Sequence, residues 1–230
     1  MTHTQTYSNL IAPATANVKL GKNVATNYRP VGNSAMGIGT CPSGCALLGA
    51  DGKAELCYTK KFHTNLQQNN SRQRSDSMDR FLLKGATLVR LHTTGDFFKP
   101  NPDAVKGYSL DLEYWADVVK FATDNPNITI YTYTHDIGEL VDNGIHGDTL
   151  PANFKIVASC DNLVQIAIAK QNGFKTARVI ESPDDIEAGE VFCPYDKATF
   201  NGISHSQHGV TCQKCKLCFT GKHSIAFLRH

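Results

Sequence analysis

The chain has little charge for its length. Of 230 residues, 19% are charged and 41% are hydrophobic, with a net charge of only +2. That balance gives no electrostatic reason to expect nucleic acid or an anionic membrane as a partner. No apolar run approaches the roughly 20 residues of a membrane-spanning helix. The opening Met1-Thr-His-Thr-Gln-Thr-Tyr-Ser lacks a basic stretch followed by an apolar core, so no secretory signal is read there. No internal repeat or low-complexity segment interrupts the chain. What remains is the composition of an ordinary globular protein, large enough for one well-filled core and expected in the cytoplasm.

Against this background, eight cysteines stand out. Without an export signal they point to a reducing compartment, where thiols are held by metal or left free. Three of them form the run Cys212-x2-Cys215-x2-Cys218, and Cys193-Pro194 lies upstream. A C-x2-C step folds two sulfurs toward one centre, and a third at the same spacing exceeds the needs of a redox pair. Bacterial ferredoxins combine such a run with a Cys-Pro. Cys193, Cys212, Cys215 and Cys218 are therefore read as ligands of a [4Fe–4S] cluster. A structural zinc site is the main alternative, although zinc sites commonly use two separated C-x2-C pairs. Disulfides or free thiols are the third reading.

A second group, Cys41, Cys45 and Cys57, is spaced C-x3-C-x11-C in a stretch with glycines at 32, 37, 39, 44, 49 and 52. Three thiolates there could hold three corners of a cubane and leave the fourth open to a substrate or to S-adenosylmethionine. Otherwise they are thiols in a surface loop. Cys160 has no cysteine neighbour in sequence and reads as a small buried hydrophobe.

The expected fold is a single α/β domain over residues 1–230. It begins with an irregular arm to about residue 30 and carries cysteine-rich loops at 41–57 and 193–218. Residues 71–84 can start a helix that ends at Gly85. Strands are expected at 88–92, 128–133, 155–159, 176–180, 190–193 and 225–228, and helices at 111–124 and from Asp161 or Asn162 to Gln171. Strands alternating with helices imply a parallel sheet with crossover connections. A TIM-like barrel is favoured over an open doubly wound sheet, and since a full barrel takes about 250 residues it would be a small or partial one.

In either architecture, sites collect at the carboxyl ends of the strands. Asp96, after a strand and Gly95, is a candidate to bind a cofactor or substrate amine, or else an Asx turn. His92 and His135 read as satisfied core or loop histidines. Phe97, Phe98, Tyr131 and Tyr133 read as core aromatics. Arg72, Arg74, Arg80, Lys60 and Lys61 read as a solvated basic face.

Taken in order, these pieces resemble a family of small tailed-bacteriophage proteins of unassigned function. The matching residues are Lys19-Leu-Gly-Lys22, Thr40-Cys41-Pro42 with Cys45, Cys57-Tyr58, Arg90-Leu-His-Thr-Thr-Gly-Asp-Phe-Phe98, Tyr131-Thr-Tyr-Thr134, Asn153-Phe154, Ser159-Cys-Asp161, Cys193-Pro194 and Thr211 through Cys218. Cys57-Tyr58-Thr59 departs from the family's Cys-Tyr-Ala. The resemblance implies iron–sulfur binding, a redox or auxiliary role, and the host cytoplasm. A weaker resemblance is to radical S-adenosylmethionine enzymes, through the partial barrel, the early three-cysteine loop and Gly95-Asp96. Their C-x3-C-x2-C is absent, because Cys57 falls nine residues too late for it.

Overall fold

A computed structural model describes residues 19–20, 24–37, 39–45, 47–49, 51–52, 57 and 86–229. The helix expected at 71–84 and most of the expected arm lie outside these residues.

Seven strands form one parallel sheet: β1 (Val24–Tyr28), β2 (Leu88–Thr94), β5 (Thr129–Thr134), β6 (Phe154–Ser159), β7 (Lys175–Ile180), β8 (Glu190–Phe192) and β9 (Ser224–Leu228). Their spatial order is β1-β2-β5-β6-β7-β9-β8. Strands β3 (Phe98–Pro100) and β4 (Tyr108–Leu110) make a separate antiparallel hairpin just beyond β2. The order advances in one direction from β1 to β7, as in a barrel wall. Among the described residues, however, β1 pairs only with β2 and β8 only with β9, so the sheet is open with those two strands as edges. The barrel expectation therefore gives way to an open α/β sheet.

Successive side chains on a strand point to opposite faces, and here the two faces have different coverings. Val89, Leu91, Ile130, Phe154, Ile156 and Ala158 face helices α1 (Leu112–Asp124), α2 (Ile137–Asp142) and α3 (Leu163–Gln171) in the largest core cluster. Asp111 caps α1, with its side chain accepting from Tyr114 N. Trp115, Val118 and Ala122 then recur at helical spacing toward the core. The helix stops before Pro126. Asn153 Nδ2 donates to Ala122 O, Asn125 O and Ile128 O at 2.9–3.0 Å, fixing the turn into β5. Asn162 caps α3, and Gly173 takes φ +78 at its end. Each fully buried aliphatic or Phe side chain on this face contributes roughly 1.5–3 kcal/mol.

The intervening residues Leu88, Tyr131, Tyr133, Ile225 and Phe227 face the other way. That face, which Val24 of β1 shares, is covered by Leu20 and the connection from β8 to β9. Along this connection lie α4 (Pro194–Phe200), α5 (His205–His208), α6 (Cys212–Cys215) and α7 (Leu217–Thr220). The cysteine run is thus a structural layer, packed on the face that α1–α3 leave open.

The β1–β2 pairing contains a bulge: Thr26 pairs with Arg90, but Tyr28 pairs with Thr94. His92 absorbs it with φ +54, and its N–H is taken by Asn27 Oδ1 at 2.6 Å.

Candidate metal centre

Cys193 follows β8 directly, with its N–H bonded to Ala226 O of β9 at 2.9 Å. It is the N-cap of α4, and Pro194 at the first helical position needs no donor there. Burial raises its pKa, and Lys19 and the backbone N–H groups of Asp196 and Tyr195 oppose that rise without cancelling it.

The C-x2-C-x2-C run is wound into two short helical turns. Thr211 caps the first by accepting from Lys214 N. Lys216, at φ +63, ends the first turn and begins the second, and Gly221 at φ +65 ends the second. The left-handed Lys216 redirects the chain between Cys215 and Cys218. Cys212 and Cys218 are thereby laid against Tyr131 and Tyr133, while Cys218 also meets the cluster around Cys193 and Ile225. Cys212 N and Gln213 N donate to Lys19 O and Leu20 O at 2.7 and 3.1 Å, tying residues 19–20 to this layer.

The four thiols lie close enough to influence one another. Burial pushes Cys218 up to about 12, opposed by the Tyr133 hydroxyl and reinforced by Cys212, Cys193 and Cys215. Burial also raises Cys212, and Arg90, Lys19 and the Tyr131 hydroxyl oppose it. Among the described residues Tyr131 Oη is buried with no oxygen or nitrogen partner, and the group it can serve is the Cys212 sulfur. Lys19 Nζ pairs with the fully buried Asp196 at 2.9 Å and sits over the rings of Tyr195 and Phe227 at 4.8 and 5.3 Å. Burial alone lowers the Lys19 pKa, but Cys193, Asp196 and Cys212 outweigh it and the net shift is upward.

Cys41 lies beside the carboxyl end of β2, where Phe98 N donates to Thr40 O, and Cys45 follows on the same loop. Burial pushes Cys41 up to about 12, and Asp96, Cys45 and Cys57 add to it. Burial pushes Cys45 up to about 11, with Asp96, Cys57 and Asp161 adding. Asp96 follows β2 and is buried. Its Oδ1 accepts from Phe97 N and Thr134 Oγ1 at 2.8 Å, and its Oδ2 from His135 N at 3.1 Å. It thus ties the end of β2 to the end of β5. Burial raises its pKa against those bonds and against the charge of His135.

None of the eight cysteines is joined in a disulfide. Cys160 is 4% exposed within the helix-side core, as a small hydrophobe would be. His92 is buried, bonded to Tyr114 Oη and Thr132 Oγ1 at 2.9 Å each, which is the satisfied core histidine expected. Among the described residues, no three His, Cys, Asp or Glu side chains are drawn together as tightly as a single metal ion requires.

A family model described as Gene product 88 matches residues 3–221, nearly the whole chain. The chain belongs to the Gene product 88 family. This is a phage-type family. No curated protein and no solved structure matches the chain. Within this Gene product 88 protein, sequence reasoning passed over Lys19, Arg90 and Asp196 as functional groups and took Tyr131 and Tyr133 only as core. The alternation Tyr131-Thr132-Tyr133 on a strand was the available signal, since it puts both phenols on one face. No helix of the described residues is long and apolar enough to cross a membrane.

Proposed function

We propose that this chain is a phage-encoded iron–sulfur protein whose [4Fe–4S] cluster is held by Cys193, Cys212, Cys215 and Cys218, with a redox or auxiliary role in the host cytoplasm. The observation that supports this reading is the buried Tyr131 hydroxyl, which has no nitrogen or oxygen partner and is within reach of the Cys212 sulfur, beside Cys218 packed in the same layer. Four soft thiolates suit an iron–sulfur cluster. A bound cluster would supply one-electron transfer. The chain's own groups have separable tasks. Lys19 and Arg90 offset the negative charge of the thiolates, Tyr131 and Tyr133 donate to two sulfurs, and the β8–β9 connection shields the centre on one side of the sheet. Such neighbours set the potential of a thiolate-bound centre.

The same four sulfurs also suit a structural zinc ion, which serves an interaction module and transfers no electrons. Purification without oxygen followed by iron, zinc and acid-labile sulfide analysis separates the two. The iron–sulfur reading requires a brown protein with broad absorption near ~400 nm and labile sulfide. Colourless protein with stoichiometric zinc and no sulfide contradicts it.

A further inference from the structure

Away from the cysteines, the amino-terminal edge of the sheet carries a cavity of about 290 Å³. It lies where β7 begins at Lys175 and β9 begins at Ser224, beside Gly189 at the entry to β8. Lys170, in the last turn of α3, and Lys222, just before β9, also line it. Lys170 and Lys222 are exposed and Lys175 is half-buried. Among the described residues, no Asp or Glu lines the cavity, and none of the three lysines makes an ion pair.

The acids beside the cavity wall are engaged elsewhere. Arg178 Nε and Nη2 each reach Glu190 at 2.8 Å, and Nη2 lies 3.8 Å from Glu187. Burial works to raise the Glu190 pKa, while Arg178, the Glu187 N–H and lastly Lys170 pull it down, so its charge is offset mainly by Arg178. The end of α3 would repel an anion if its carbonyls were bare. They are not: Ile168 O, Ala169 O, Lys170 O and Asn172 O accept from the N–H groups of Asn172, Phe174, Gly173 and Gly147 at 2.9–3.2 Å. Ser224 adds a donor. It is 7% exposed, and its Oγ accepts from Thr176 Oγ1 at 2.9 Å and Thr176 N at 3.3 Å. Both lone pairs are then filled, and its own proton is left to donate. A Cβ on Gly189 would meet nothing within 4 Å, so that wall is open.

Three cations around one cavity repel one another, and an oxyanion relieves that repulsion. The geometry points to an anion site that takes a small phosphate monoester, with Lys170, Lys175 and Lys222 as point charges on the phosphoryl oxygens and the Ser224 hydroxyl donating to one of them. The cavity is larger than a bare phosphate needs and close to the lower end of small-molecule sites. Its aromatic lining residue, Phe174, is buried in the core, so no platform is offered to a nucleobase and a sugar phosphate fits better than a nucleotide. The site does not depend on any metal at the cysteines.

The test is calorimetric titration of the full-length protein with ribose 5-phosphate and with inorganic phosphate, in chloride buffer at constant ionic strength. Wild type should bind ribose 5-phosphate at one site per chain, and more tightly than phosphate. Lys170→Gln and Lys222→Gln, both at exposed positions, should each weaken binding roughly tenfold, and Lys175→Gln at least as much. Lys197→Gln, exposed on α4 and outside the cavity, should leave it unchanged. No saturable binding of either probe by wild type overturns the site. Equal weakening in Lys197→Gln overturns it too, because the attraction would then be general. Unchanged affinity in both Lys175→Gln and Lys222→Gln would put the anion elsewhere and also overturns it. Equal affinity for the two probes overturns the ester and leaves a site for free phosphate.

Discussion

Lys19 and Asp196 are 177 positions apart in sequence and meet at 2.9 Å, with the Asp196 side chain fully buried. The pair joins the start of the described chain to α4, the helix that Cys193 caps. The cation it brings is the one that opposes the burial of Cys193 and contributes at Cys212.

Replacing Lys19 by Met leaves a buried carboxylate without its cation. The expected loss in metal-free protein is roughly 3 kcal/mol by chemical denaturation. Adding Asp196→Asn should recover part of it, because the remaining group no longer carries charge. A double variant that is as destabilised as the two single changes summed would show that the pair does not act as a unit.

The Tyr131 hydroxyl is buried with no nitrogen or oxygen partner among the described residues and can donate only weakly, to the Cys212 thiol, so its removal should cost the metal-free protein little or nothing. Tyr131→Phe is expected to melt close to the wild-type temperature. In loaded protein the same change removes a donor to Cys212, and a donor favours the more negative, reduced cluster. A differential bond of about 1 kcal/mol corresponds to a potential roughly 40 mV lower. An unchanged potential would place that hydroxyl outside the centre.

Metal-free protein should lose stability on both sides of neutrality. Burial, then Arg29, holds His92 well below its ordinary 6.5, so the unfolded chain takes up a proton there that the folded chain refuses. Stability from this group is present above about pH 6.5 and declines as pH falls below it. Burial pushes Cys160 from 9.0 up to about 12. The folded state keeps that proton while the unfolded thiol ionises, so stability falls as pH rises from 9 toward 12. Urea midpoints across pH 5–11 check both limbs. In His92→Gln the acid limb should become shallower; in Cys160→Ala the alkaline limb should become shallower by one group's share, because the buried Cys41, Cys45 and Cys218, also pushed up, keep the rest of it.

The central α/β elements were legible in sequence because their periods are clean. Trp115, Val118 and Ala122 mark one helix face, and Ile128 through Tyr133 is strongly β-forming. Strand β1 was read as part of an irregular arm because Val24-Ala-Thr-Asn-Tyr28 mixes polar with apolar residues. Thr26 and Asn27 are nonetheless buried, with their polar atoms bonded to Thr93, Tyr114 and His92 N. Helix α2 has six residues among glycines, and β3 and β4 have three each, too short for a period to show. The barrel reading failed to close because β9 inserts between β7 and β8, an order no local pattern encodes. The cysteine grouping was visible as spacing. Lys19, Arg90 and the two tyrosines were not, since they reach the thiols only through register and packing.

Cys215 tests the account most directly, because it lies within the run and outside the loop of Cys41 and Cys45. Iron and acid-labile sulfide per chain, measured together with melting temperature under one oxygen-free buffer, should fall in Cys215→Ser. The melting temperature should fall too, because the clip closing residues 193–218 is weakened. Cys160→Ser should leave iron unchanged. Full iron and sulfide in Cys215→Ser, with unchanged melting, would contradict a cluster at Cys193, Cys212, Cys215 and Cys218.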